Sequence, residues 1–202
     1  MNDIADKCPQ LGLVLSGAML PRFFLLFQQG VTIRARVGCS LKAFLLEELA
    51  IRQDAVDKIQ SMFLDGRPVD DLDATMVRDG SVLALSAALP GLVGATMRRG
   101  GRYASFRQTI SYHEEKLQCA AGNGRVRIKL FNLIMRELGP GLLHRGVFMR
   151  TSDLMNFLSG QAEDFWQECR EVILDGMPSD AGRLKDGTLL SGHQKVIFSA
   201  TL

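Results

Sequence analysis

One short phrase is written twice in this chain of 202 residues. Leu64-Asp65-Gly66-Arg67-Pro68-Val69-Asp70 returns as Leu174-Asp175-Gly176-Met177-Pro178-Ser179-Asp180, with Leu, Asp, Gly, Pro and Asp in the same order and spacing. A second echo follows each copy, because Val77-Arg78-Asp79-Gly80-Ser81 is answered by Leu184-Lys185-Asp186-Gly187-Thr188. Repetition on this scale sets architecture before local propensity does, since each copy must build the same supersecondary unit. It predicts two small domains in one chain and names no reaction.

Within the first copy, Phe23-Phe24-Leu25-Leu26-Phe27 reads as a strand closed by a turn at Gln28-Gln29-Gly30. Val31 to Val37 alternates apolar and polar residues, so the two runs are expected to form a hairpin. Ser40 can cap a helix whose apolar face carries Leu41, Phe44, Leu45 and Leu49. Met62-Phe63-Leu64 is the third strand, Asp65-Gly66 its turn, Pro68-Val69 a short extended piece, and Ser81 to Leu85 the last strand. The second copy offers Val126 to Phe131 as a strand with Gly146 to Arg150 as its hairpin partner. A helix capped by Ser152 follows, with Leu154, Phe157, Leu158, Ala162 and Phe165 as its stripe, then Val172 to Leu174 and finally Val196 to Ala200.

This order, with its strand-Asp-Gly-x-Pro turn and its later basic-Asp-Gly-hydroxyl turn, resembles the β-grasp fold of ubiquitin and of the small sulfur-carrier proteins of molybdopterin and thiamine synthesis. The likeness covers about Arg22 to Leu89 well and Arg125 to Leu202 less closely. It implies an α+β chain of two β-grasp domains, each a mixed sheet wrapped on one helix, with pseudo-symmetric packing of the two as a further option. The expected division is an N-terminal extension plus first domain over residues 1–101, a partly helical linker over 102–124, and a second domain over 125–202. The fold hosts carriers, binding modules and enzyme-fused modules alike, so it selects no function.

Bulk composition narrows the classes further. With 47% hydrophobic and 23% charged residues the chain has the make-up of a globular protein, and a net charge of +2 gives no broad field for nucleic acid. Leu11 to Leu20 is apolar but only about half the length of a membrane span, and is read as an extension packed on the first domain. Cys8, Cys39, Cys119 and Cys169 form no C-x-x-C pair, which points to free thiols in a reducing cytoplasm and to neither a local zinc site nor a redox dithiol.

The sharpest motif is Met97-Arg98-Arg99-Gly100-Gly101, which follows the first domain as Arg-Gly-Gly follows the last strand of ubiquitin. Carriers resembling it present a terminal glycine carboxylate, whereas here the pair is internal, so a carrier role requires cleavage after Gly101. Arg98, Arg99, Arg102 and Arg107 interleave with Tyr103 and Phe106, a combination that can grip phosphate and stack a base. His113-Glu114-Glu115 lacks the second histidine of a metalloprotease helix, since residue 117 is Leu117, and His144 and His193 fall in expected loops. Cys39 sits at a helix start, where thiols can become reactive, but has no neighbouring base. The reading is therefore a cytoplasmic, non-enzymatic binding or adaptor protein without cofactor, metal or catalytic residues. It meets a protein partner through sheet faces or strand edges, with Arg98, Arg99, Gly100, Gly101, Arg102 and Tyr103 as the first binding candidates. No membrane is expected, nucleic acid is disfavoured, and self-association is allowed. The alternatives are the cleaved carrier and an enzyme of unidentified class.

Overall fold

A computed structural model describes residues 8–107, 109–112 and 121–202. His113, Glu114, Glu115 and Cys119 lie outside them, as does much of the helical stretch expected from Tyr103 to Gln118. The chain is α+β, and its strands are, in order, β1 (Gln10–Leu15), β2 (Val31–Val37), β3 (Cys39–Ser40), β4 (Ser61–Leu64), β5 (Arg67–Pro68) and β6 (Met76–Val77). They continue with β7 (Val82–Ser86), β8 (Gly122–Phe131), β9 (Val147–Arg150), β10 (Cys169–Leu174), β11 (Met177–Ser179) and β12 (Lys195–Thr201). Two compact units emerge, Phe24–Gly139 and Met1–Phe23 with Pro140–Leu202. These bounds differ from the expected 1–101, 102–124 and 125–202, and strand pairing explains the difference.

In the Phe24–Gly139 unit the sheet order is β2-β8-β7-β4-β5. β2 runs antiparallel to β8 from Val31↔Ile128 to Val37↔Gly122, and β8 runs parallel to β7 from Val82↔Arg127 to Ser86↔Phe131. β8 is thus a central strand, with Val126, Ile128 and Leu130 wholly buried on one face at the two-residue spacing of a pleated strand. Its first residues come from the stretch expected to be linker. β3 and β6 add a two-residue ladder of their own.

The other unit has the order β9-β12-β1-β10-β11. Here β1 is central: parallel to β12 (Leu11↔Phe198) and antiparallel to β10 (Leu13↔Val172). Leu11, Leu13 and Leu15 are buried, and Phe23 packs its ring at 5.3 to 6.2 Å from those of Phe157, Phe165 and Phe198. The apolar N-terminal segment is therefore a core strand of the unit that holds the second half, not an extension on the first domain.

With the separate two-residue strands β3 and β6 set aside, both copies of the repeat run strand, helix, strand, helix, then three strands, and each gives its first strand to the other copy's unit. The slot beside the Asp-Gly hairpin is gripped alike in both units but filled by a different strand, the copy's own last strand in one and the other copy's first strand in the other. In one unit Asp65 receives the Val82 N–H on its carboxylate at 2.7 Å and donates its own N–H to the Val82 carbonyl at 2.9 Å. In the other, Asp175 does the same to Gln10, at 2.8 Å in both directions. One grip thus holds β7 in the first case and β1 in the second. The repeated dipeptide follows from the backbone: Asp65 and Gly66 have φ of 52° and 80°, Asp175 and Gly176 of 50° and 81°, the left-handed pair that a two-residue hairpin of the right twist requires.

Four local expectations are corrected. Phe23 to Phe27 is not a strand, because Gly17–Phe23 is 3₁₀ and Phe24–Gln29 is α-helical, with Leu26 and Phe27 buried and Leu25 exposed, a helical spacing. Gly146 to Arg150 pairs with β12 rather than β8. Ser152 is not the cap, since the helix Thr151–Ser159 starts after Arg150. The expected single stripe is broken at Gly160 into Thr151–Ser159 and Glu163–Gln167. Ser40 does cap as expected, accepting the Ala43 N–H at 3.2 Å, and the helix continues into a π-helical turn at Phe44–Glu48.

Candidate functional site

The segment after β7 carries the features that no core requirement explains. Pro90 leads into the helix Gly91–Met97, a turn spans Arg98 to Gly101, and Ala104–Arg107 forms a single 3₁₀ turn against that helix. Arg107 holds the whole excursion. Its side chain is 3% exposed, and its guanidinium donates five hydrogen bonds. Nη1 and Nη2 fork onto the two Asp70 carboxylate oxygens at 2.8 and 2.7 Å, the planar geometry only arginine provides. Nε reaches the Thr96 carbonyl at 2.6 Å, Nη1 the Ser111 hydroxyl at 2.9 Å and Nη2 the Arg98 carbonyl at 3.3 Å. Asp70 follows β5, so this one side chain ties both short helices and their turn to the sheet edge. Further along, the Tyr112 N–H takes the Pro68 carbonyl of β5 at 2.8 Å, and the Tyr112 hydroxyl accepts from Arg78 at 2.9 Å.

With Arg107 and Ser111 turned inward, the segment presents apolar side chains outward. Phe106 is 79% exposed and Leu92 76%, and Val93, Tyr103 and Ile110 are exposed as well. Five of the eight exposed large hydrophobic residues among the described ones therefore lie between positions 92 and 110, the others being Leu25, Leu133 and Met177. Tyr103 and Phe106 stack with ring centroids 6.1 Å apart at an interplanar angle of 23°.

The six candidates from the sequence separate here. Gly100 and Gly101 sit in a bonded turn: the Gly100 N–H approaches Asp70 at 3.4 Å, the Gly101 N–H bonds the Arg98 carbonyl at 3.1 Å, and the Gly101 carbonyl accepts from Ala104 at 3.0 Å. Arg99 is anchored through its N–H to the Gln60 carbonyl at 2.7 Å, and its side chain lines a cleft of about 500 Å³ with Lys42, Asp70, Asp71 and Asp73. Arg98, Arg102 and Tyr103 face outward. Arg107, grouped by sequence with the phosphate-gripping arginines, is instead buried and committed to Asp70.

The carboxylates of that cleft are also committed. Asp71 accepts the Asp73 and Ala74 N–H groups at 2.9 and 3.0 Å, and Asp73 pairs with Lys42 at 3.2 Å. In the other unit a cleft of about 340 Å³ is lined by Cys169, Arg170, Glu171, Pro178 and Ser179 among others. Burial pushes the Cys169 thiol up from its ordinary pKa, as it does Cys39, so both are held away from the reactive thiolate form. The His144 imidazole lies 3.4 Å from the Thr201 hydroxyl, and among the described residues no three His, Cys, Asp or Glu side chains group as metal ligands. No helix among them is long and apolar enough to cross a membrane.

Comparison with known protein families, curated proteins and solved structures finds no match. The sequence reading missed Leu92, Val93 and Ile110 as a surface and placed Phe106 only as a base-stacking ring among the arginines. The available signal was an apolar run directly after a helix-starting proline, in a stretch without a single Asp or Glu from position 90 to 112.

Proposed function

We propose that the protein is a non-enzymatic binding or adaptor protein made of two β-grasp-like units with exchanged first strands, and that it meets a protein partner through the Pro90–Tyr112 segment. The observation that carries this reading is the Arg107 clamp beneath an apolar exterior. A loop needed only to connect β7 to β8 gains nothing from a buried five-bond arginine, whereas a docking surface gains affinity from being held in one shape beforehand. Exposed Phe106, Tyr103, Leu92 and Val93 are the kinds of side chain on which interface energy concentrates when they become covered.

The strand edges support the segment over the edges themselves. β5 already gives its Pro68 carbonyl to Tyr112, and β11 carries Pro178, which has no N–H to lend an added strand. The test is affinity capture from native cells with the wild type, with Leu92→Ser/Phe106→Ser and with Arg98→Ala/Arg99→Ala. The apolar pair is expected to abolish capture of specific partners. Unchanged capture by Leu92→Ser/Phe106→Ser would remove the segment from the account.

A further inference from the structure

From charge placement on the same segment, and resting on the docking role just proposed, we infer that the partner presents an acidic peptide stretch with apolar anchors. Residues 90 to 112 contain Arg98, Arg99, Arg102 and Arg107 and no Asp or Glu. Arg107 is neutralised by Asp70, and Arg99 lies in the cleft with three aspartates. Arg98 and Arg102 remain, exposed, with no hydrogen bond or ion pair to their side chains among the described residues. Among the described residues of the segment the exterior is therefore apolar, with two free cations and no acidic side chain of the segment's own. A partner of matching chemistry brings apolar side chains for Leu92, Val93, Tyr103 and Phe106, and carboxylates at its rim for the two guanidiniums. Such rim charges steer association and select among partners.

Two other anionic partners fit less well. Nucleic acid affinity grows with the number of phosphates neutralised, and two free arginines neutralise about two, against the six to ten contacts of ordinary binders. A membrane surface recruits clusters of about four to eight basic residues, which this segment lacks. Five exposed apolar side chains against two free cations favour a peptide over both.

The experiment uses the full chain and fluorescence anisotropy with a labelled amphipathic peptide built of Glu, Leu and Phe. Its Glu→Gln and Glu→Lys counterparts, an oligothymidylate and phosphatidylserine vesicles are run beside it. The acidic peptide is expected to bind about tenfold more tightly than the Gln form, with the Lys form weaker still and the preference shrinking at high salt. Phe106→Ser and Arg98→Ala/Arg102→Ala each weaken binding by about fivefold or more, while amide protection at Ile128, buried in the same unit, shows that these exposed substitutions leave that unit folded. Equal binding of the Glu and Gln peptides overturns the inference, and so does tighter, Arg98-dependent binding of the oligothymidylate or the vesicles. Failure of every peptide, when Leu92→Ser/Phe106→Ser still abolishes capture of natural partners, overturns the acidic-partner inference and leaves the docking surface standing. Retained natural capture by that variant overturns the docking surface itself.

Discussion

Replacing Arg107 by Met keeps the length and much of the volume of the side chain and removes all five of its hydrogen bonds. A charged hydrogen bond contributes about 1.5–3 kcal/mol, and breaking a buried ion pair costs about 3–5 kcal/mol. The Asp70 side chain is 40% exposed, so its carboxylate regains water once the arginine is gone, which places the expected loss near the lower bound, at about 3 kcal/mol. Because the arginine ties only the 91–111 excursion to the sheet, this free energy is expected to appear as local opening. Amide hydrogen exchange by NMR is the assay. At about 1.4 kcal/mol per decade, exchange at Arg99, Gly101, Ala104 and Tyr112 should accelerate by about a hundredfold. Ile128, in the centre of β8, should keep its protection. In a double-mutant cycle, Asp70→Asn should add little to Arg107→Met. Exchange rates within about threefold of wild type at those four amides would refute the clamp, and loss of protection at Ile128 would refute its local character.

Other outcomes follow from the packing and the turns. A Cβ at Gly139 would stand 2.5 Å from Cε2 of Phe27, so Gly139→Ala should destabilise the Phe24–Gly139 unit by about 1–3 kcal/mol in chemical denaturation followed by amide exchange. Asp186 is held below the ordinary carboxylate pKa, first by the Thr188 hydroxyl at 2.7 Å and then by the Thr188 N–H at 2.9 Å. A lowered folded pKa means that the turn is stabilised above the unfolded pKa and loosens as pH falls through the folded one. Carbon-13 titration should show Asp186 moving up toward the ordinary value in Thr188→Val, and an unmoved titration would contradict the bond. Cys39 and Cys169, both raised by burial, should alkylate more slowly in the native protein than after denaturation, as mass spectrometry of labelled peptides would show.

What could be read from the sequence was local. The Asp-Gly turns were legible because a two-residue hairpin demands left-handed backbone at both positions, and Ser40 because its hydroxyl meets a helix N–H. β10 and β12 were legible from their apolar runs. The exchange of first strands was not, since alternation identifies a strand without naming its neighbour, and β1 finds its partners more than a hundred residues away while β8 finds β7 and β2 at 45 and 85 to 97 residues. Phe23 to Phe27 misled because a short apolar run suits a strand or a buried helix equally. The site was hidden for a related reason. Asp70 and Asp180 hold the same place in the repeated phrase, yet Asp70 receives Arg107 while Asp180 caps the helix Ala181–Lys185 by accepting the Arg183 N–H at 2.8 Å. Identical letters take different partners according to what the chain brings back to them.

The exchanged strand can be tested by a covalent link. Gly12 and Ile173 are register partners across β1 and β10, and a Cβ at Gly12 would lie 3.7 Å from that of Ile173, close to the mean Cβ separation of about 3.8 Å in disulfides. In a protein whose four native cysteines are Ser, Gly12→Cys/Ile173→Cys should close to an intramolecular disulfide under mild oxidation, seen as the loss of both free thiols without a dimer band. If β1 belonged to its own copy, the two thiols would stay reduced and separately alkylatable in the folded protein, and the strand-exchanged architecture would be wrong.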